Sequence, residues 1–168
     1  TRWATHGAPN ERNAHPHRSA RVAVVHNGII ENFRALREEL EAKGAVFETE
    51  TDSETIALLC EDFLNTGDSP RDAALNTVGR LDGAFALAFL FDGESDLMIA
   101  ARKGSPLAIG HGEGEIYVGS DAIALGSLTS DITYLEEGDF AVLTRQSVEI
   151  RDEKGNLANR PMQTVQLS

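Results

Sequence analysis

Hydrophobic and polar positions divide the first half of the chain into strands and helices. Residues 21–25 favour a buried strand, because three of these five residues are valines and small Ala23 lies between them. The polar run His26-Asn27-Gly28 is predicted to end this strand, and the pattern that follows it is helical. The alternative for Asn27-Gly28 is a two-residue hairpin turn, for which Asn-Gly is the strongest short-range signal.

The first helix is predicted over residues 32–43, where apolar side chains recur at helical spacing. Three residues form its apolar face: Phe33, Leu36 and Leu40. Gly44 follows as a residue that can close the helix, because glycine adopts the conformation a helix end requires. A short strand is predicted next, at residues 45–48.

Two more helices are predicted from their start signals. Thr51 and Glu54 have the spacing of a capping box. The helix that follows carries a stripe of five apolar residues: Ile56, Leu59, Cys60, Phe63 and Leu64. Ser69-Pro70 begins the third helix, with proline at the first helical position.

The second half of the chain predicts strands and turns. Residues 84–91 are apolar on both faces, which is typical of a strand covered on both sides. Five shorter strands are predicted at 97–101, 107–109, 116–119, 140–144 and 148–151. Residues 110–115 predict a hairpin turn, a short helix is predicted after Ser120-Asp121, and residues 156–168 show no periodicity. These elements pack best as two stacked sheets with helices outside, an α+β layered sandwich.

Composition narrows the classes of partner. The chain has 168 residues, enough for one domain, and a net charge of −12, which disfavours nucleic acid and anionic membranes. A small neutral or cationic ligand fits this charge better. No signal peptide or membrane-spanning run is visible, and a single cysteine suits a reducing compartment, so a cytoplasmic location is expected.

The first twenty residues have loop composition but carry side chains that suit a binding site. Arg2 offers a planar fork for a carboxylate, Thr5 and His6 offer polar contacts beside it, and Trp3 is suited to cover a ligand. His15 and His17 raise the possibility of a metal site. We expect no metal, because no cysteine lies nearby and the spacing matches no zinc motif.

Four residues further along invite chemical interpretation. The Asn27 amide and the Gly28 N–H are suited to receive developing negative charge on a carbonyl oxygen. Asp52 is placed in the first helical turn, where the helix dipole stabilises a carboxylate and where it can meet a ligand ammonium group. Cys60 lies in the middle of an apolar stripe, so it is predicted to be a core residue and not a nucleophile.

Six stretches together resemble the glutaminase domain of the glutamine–fructose-6-phosphate aminotransferase (isomerising) family. They are 1–7 (TRWATHG), 13–17 (NAHPH), 26–32 (HNGIIEN), 50–52 (ETD), 105–107 (SPL) and Ser120-Asp121. The resemblance implies the four-layer αββα sandwich of the N-terminal-nucleophile hydrolases. In that family a cysteine thiolate at the mature N-terminus releases ammonia from glutamine through a thioester.

The resemblance also implies roles for particular residues. Asn27 and Gly28 would form the oxyanion hole, and Arg2 and Asp52 would hold the α-carboxylate and α-ammonium groups of L-glutamine. Thr5 and His6 would line the site. The same likeness makes Trp3 a gate for ammonia transfer and His15 a support for the loop. No cofactor is implied.

The family's N-terminal cysteine has no counterpart in this chain. We therefore expect residues 1–155 to be a glutaminase domain without its first strands and its nucleophile, inactive by itself. Residues 156–168 are then a tail or linker towards an absent sugar-isomerase (synthase) region. That region would bind fructose 6-phosphate, and the intact protein would be a homodimer. The alternatives are the glutaminase domain of another amidotransferase and a non-catalytic binding module of the same fold.

Overall fold

The computed structural model describes residues 17–166, which form ten strands and four helices. The strands are β1 (His17–Arg18), β2 (Val22–Ile30), β3 (Gly83–Phe91), β4 (Met98–Lys103), β5 (Ala108–His111), β6 (Ile116–Gly119), β7 (Asp131–Tyr134), β8 (Phe140–Leu143), β9 (Val148–Arg151) and β10 (Met162–Thr164). The helices are α1 (Phe33–Ala42), α2 (Asp52–Asn65), α3 (Pro70–Arg80) and α4 (Ala122–Leu125). No helix among the described residues is both long and apolar enough to cross a membrane.

The strands form two antiparallel sheets, stacked face to face. The larger sheet has the order β1-β2-β3-β4-β8-β9, and the smaller has the order β10-β7-β5-β6. One apolar cluster joins α1, α2 and α3 to the outer face of the larger sheet, and a second lies between the sheets. A third joins α4 to the outer face of the smaller sheet. The order helix, sheet, sheet, helix confirms the predicted α+β sandwich.

Strand β3 is the centre of the larger sheet, and its two faces differ in side-chain size. Its bulky residues pack towards the helices: Phe85, Leu87, Phe89 and Phe91. Ala86 and Ala88 point the other way, into the space between the sheets. Side chains alternate along a strand, so this pattern explains why residues 84–91 are apolar throughout and confirms a strand covered on both sides.

The start of α2 differs in part from the predicted capping box. The Thr51 side chain accepts a hydrogen bond from the Glu54 N–H at 3.3 Å, as predicted. The Glu54 carboxylate instead accepts the backbone N–H groups of Glu48 and Thr49, at 2.8 and 2.7 Å. Burial would raise the pKa of Glu54, but these hydrogen bonds and that of the Thr49 hydroxyl hold it below its usual value. Residues 45–48 are irregular, so the predicted strand is wrong, and the carboxylate takes the place of a strand partner for Glu48.

Three short strands are not predicted by the sequence: β1, β7 and β10. β7 has four residues, and all three side chains of β10 are exposed, so β10 adds backbone pairing without any apolar signal. The segment after residue 156 is also tied to the body by Arg160. Its guanidinium makes two 2.9 Å hydrogen bonds to the buried Asp139 carboxylate. The segment is therefore ordered in part, in contrast to the aperiodic tail that the sequence indicates.

Thr55 gives a stability prediction, because its hydroxyl is fully buried in α2 and has no hydrogen-bond partner within residues 17–166. Thr55→Val should raise the free energy of unfolding by about 1 kcal/mol, since it removes an unsatisfied polar group at nearly constant volume. Urea denaturation measures the change. Thr77→Val is the matched control, because the equally buried Thr77 hydroxyl donates to the Ala73 carbonyl at 2.7 Å. Equal losses of stability in both variants would contradict the prediction.

Candidate functional site

Asn27 and Gly28 lie inside a continuous strand. β2 runs to Ile30, and Asn27 and Gly28 pair with Ala86 and Phe85 of β3. The prediction that the strand ends at His26-Asn27-Gly28 is wrong, and so is the hairpin alternative. The glycine has another physical reason: Gly28 has φ +113°, and a Cβ there would lie 2.2 Å from the Ala84 carbonyl oxygen. Glycine in a strand here marks a close backbone approach and not a turn.

The far edge of β2 next to these two residues has no strand partner in the described part of the chain, and it is called the open edge below. β1 pairs only with Ala23 and Val24, so within residues 17–166 the part of β2 from 25 to 30 pairs with β3 alone. Val22 C=O accepts a hydrogen bond from the β1 side, whereas Arg21 C=O and Glu31 N–H bond on the β3 side. By the alternation of an antiparallel ladder, the Gly28 N–H points to the open edge. Asn27 and Gly28 are both exposed there.

Asp52 lies beside the same part of β2. His26 faces the helices, and its Nδ1 is 3.1 Å from Ser53 Oγ and 3.6 Å from the Asp52 carboxylate. Asp52 therefore contacts the residue that precedes Asn27. It is the first residue of α2, where the helix dipole stabilises a negative charge, and its side chain is 27% exposed. The structure thus places an accessible carboxylate next to the Asn27–Gly28 edge.

A cleft opens between the two sheets on the other side of β2. It has a volume of about 90 Å³. Its lining is mostly apolar, with polar groups from Asn27 and Ser120, and includes Val25, Ala86, Ala88, Leu107, Val118 and Gly119. An apolar cavity with a few polar groups is the usual form of a small-molecule site.

The other predicted site residues lie outside the described part of the chain. These residues are Arg2, Trp3, Thr5, His6 and His15. Their positions relative to Asn27 and Asp52 stay predictions, as does the absence of a metal at the N-terminal histidines. In residues 17–166 no group of three or more His, Cys, Asp or Glu side chains is arranged to hold a metal ion.

Cys60 is a core residue, as predicted. It is fully buried in α2, and burial raises the pKa of its thiol to about 12, although the Thr77 hydroxyl acts in the opposite direction. The thiolate needed for nucleophilic attack is therefore almost absent at neutral pH.

Cys60 should accordingly resist alkylation in the folded protein. Iodoacetamide at neutral pH is expected to leave the native chain unmodified over a period in which the urea-unfolded chain gains one carbamidomethyl group. Mass spectrometry gives an unambiguous result, because the chain has a single cysteine. Rapid modification of the native chain would show that α2 opens or that the thiol is exposed.

Two contributors to this region were not singled out by the sequence. His26 and Ser53 meet Asp52 from two different elements, and only the fold brings them together. The available signal was the position of His26 on the helix-facing side of β2, two residues after buried Val24. A polar side chain at such a position needs a partner on the helix it faces.

Comparisons with known proteins define the class to which this fold and site belong. Residues 4–127 match the family described as the glutamine amidotransferase domain, which is more than half of the chain, so the chain belongs to this family. The resemblance drawn from the sequence motifs is confirmed by curated relatives. The glutamine–fructose-6-phosphate aminotransferase (isomerizing) of Bradyrhizobium diazoefficiens is 61% identical over 160 residues. The enzyme of the same name from Brucella suis is 59% identical over 166 residues.

These alignments cover 95% and 99% of this chain but 26% and 27% of the two relatives, so the chain spans about a quarter of their length. Among solved structures, the glutamine phosphoribosylpyrophosphate amidotransferase of B. subtilis superposes with a TM-score of 0.71 at 27% identity, over 90% of this chain and 34% of that one. A glutamine aminotransferase class-II domain protein from Silicibacter pomeroyi shares the fold, with a TM-score of 0.58 at 19% identity, over 85% of this chain and 71% of that one. These likenesses confirm the sandwich of the N-terminal-nucleophile type.

Proposed function

We propose that this chain is the glutamine-binding portion of the glutaminase domain in a glutamine–fructose-6-phosphate aminotransferase, also called glucosamine-6-phosphate synthase. One observation carries the proposal: the Asp52 carboxylate lies against His26, directly before Asn27 and the outward-pointing Gly28 N–H. Asp52 thus lies on the helix face of β2 and Asn27 lines the cleft on its other face, with the Gly28 N–H at the strand edge between them. The identity to the two aminotransferases supports the choice within the family.

Free glutamine has three groups that such a site must recognise. Asp52 pairs with the α-ammonium group, and Arg2 pairs with the α-carboxylate through its planar fork. The Asn27 amide and the Gly28 N–H donate to the oxygen of the side-chain amide. These donors stabilise the negative charge that grows on that oxygen when a nucleophile adds to the carbon. Thr5 and His6 line the site, Trp3 gates ammonia transfer, and His15 supports the loop.

The covalent steps need a nucleophile that this chain does not offer. In the proposed reaction a thiolate adds to the side-chain amide carbon, the C–N bond breaks with proton transfer to nitrogen, and ammonia leaves. Water then hydrolyses the thioester to glutamate and restores the thiol. The single cysteine of these 168 residues is buried Cys60 with a pKa of about 12, so this chain alone binds glutamine without hydrolysing it.

The wider reaction belongs to the intact protein. There the released ammonia converts fructose 6-phosphate to glucosamine 6-phosphate, in a cytoplasmic homodimer. The second candidate, the glutaminase domain of another amidotransferase, has the structural likeness to the phosphoribosylpyrophosphate enzyme in its favour. Its identity of 27% is well below the 61% of the aminotransferase relative. Formation of glucosamine 6-phosphate by the intact protein from glutamine and fructose 6-phosphate distinguishes the two.

Calorimetry of the full 168-residue chain tests the proposal. L-Glutamine should give saturable binding heat, whereas glutaramic acid, which is glutamine without its α-ammonium group, should give none. No glutamate should form during the titration. Absence of heat with glutamine, or equal heats with both compounds, would overturn the proposed binding mode. Release of glutamate would overturn the statement that the chain alone is inactive.

A further inference from the structure

His26 is a nearly buried polar side chain that the proposed function leaves without a role. Its side chain is 5% exposed and lies between β2 and the start of α2. Nδ1 is 3.1 Å from Ser53 Oγ, which is hydrogen-bonding distance, and 3.6 Å from Asp52 Oδ1. The imidazole therefore contacts the proposed ammonium-binding carboxylate and is itself shielded from solvent.

We propose that His26 is a positioning residue that fixes the Asp52 carboxylate in the orientation that receives the α-ammonium group. The inference rests on the proposed function, because it assigns His26 to the same site. The imidazole acts through Asp52 and does not itself touch glutamine.

The reason lies in the freedom of an aspartate at a helix start. Asp52 is the first residue of α2, and an aspartate side chain there has several accessible rotamers. A carboxylate that must be ordered during binding loses affinity, whereas one that is already held loses little. His26 is itself fixed, because β2 is paired along its full length with β3 and Ser53 Oγ restrains the ring.

The geometry also indicates that His26 contacts Asp52 through Nδ1 of its ring. Nδ1 is at hydrogen-bonding distance from Ser53 Oγ and 3.6 Å from Asp52 Oδ1, so a proton on Nδ1 is donated to Ser53 and turns the positive end of the N–H dipole towards the nearby carboxylate. This dipole orients the carboxylate and leaves its negative charge for the ligand. The long-range ¹H–¹⁵N spectrum of the chain should accordingly show the Nδ1–H tautomer for His26.

Two amide substitutions separate positioning from mere filling of space. His26→Asn places an amide nitrogen near the position of Nδ1, whereas His26→Gln places it near that of Nε2. In calorimetry, His26→Asn should keep glutamine affinity within about threefold of wild type, and His26→Gln should lower it roughly tenfold, because its amide nitrogen no longer faces Asp52. Thr55→Val is the control for disturbance of α2 and should bind glutamine as wild type does. Thermal unfolding of each variant verifies that it is folded.

A double-mutant cycle with Asp52→Asn completes the test. The expected result is that His26→Gln costs affinity in the wild-type background and nothing further in the Asp52→Asn background. Equal affinities of the two His26 variants, or additive losses in the cycle, would overturn the positioning role and leave the proposed function intact. If the wild-type chain does not bind glutamine, or if Asp52→Asn binds as wild type does, the proposed function fails first and this inference fails with it.

Discussion

Asp52→Asn should lower glutamine affinity at least about a hundredfold, which corresponds to roughly 3 kcal/mol. The substitution keeps the size of the side chain and removes its charge, so the α-ammonium group loses its ionic partner while remaining desolvated in the site. Isothermal titration of the full chain with L-glutamine measures the loss. Glutaramic acid has no ammonium group, so it should give no binding heat with either wild type or the variant.

Asp72→Asn is the matched control for this experiment. Both aspartates lie in the first turn of a helix, Asp52 in α2 and Asp72 in α3, so both substitutions remove a similar favourable interaction with a helix dipole. The Asp72 carboxylate is exposed and pairs with Arg71 at 3.2 Å, away from β2. The Asp72→Asn variant should therefore bind glutamine as wild type does. Equal heats for wild type and Asp52→Asn would remove Asp52 from the site.

Gly28→Ala should lower the free energy of unfolding by about 3 kcal/mol or more. Two costs add: an alanine at φ +113° is strained, and its Cβ would lie 2.2 Å from the Ala84 carbonyl oxygen and 2.8 Å from the Phe85 Cα. Both neighbours are backbone atoms of β3, so relief requires a shift of the strand itself. Urea denaturation followed by circular dichroism measures the loss.

Gly44→Ala isolates the steric part of that loss. Gly44 has φ +99°, similar to Gly28, but a Cβ there would meet nothing within 4 Å. Gly44→Ala should therefore lower the free energy of unfolding only by the conformational strain, about 1 kcal/mol. If the two alanine variants lose the same stability, the close approach of β3 to Gly28 does not constrain this strand.

Sequence patterns predicted the elements whose signals are local and repeated. The stripe of α2 and the two-sided apolar run of β3 each extend over many residues, so their type is well determined. β10 could not be predicted in this way, because its exposed side chains carry no pattern and its partner β7 lies about thirty residues earlier. Its existence depends on a tertiary contact.

The same distinction explains what the sequence indicated about the site. The position of Asp52 at a helix start was predictable because start signals are local, whereas its role towards a ligand stays a prediction. The strand end or turn predicted at Asn27-Gly28 is wrong, because a turn and a close backbone approach both call for glycine and only the position of Ala84 decides between them. His26 was missed because its contact with Asp52 joins residues on separate elements.

The alanines of β3 have a consequence for how this domain can be altered. Ala86 and Ala88 form part of the cleft wall. The space in the cleft therefore depends in part on two small side chains in the middle of a strand. Larger apolar residues at these positions would bury more surface between the sheets and could raise thermal resistance. They would do so by filling the cleft that Asn27 lines, so a gain in stability and the preservation of this cleft are opposing aims at the same two residues.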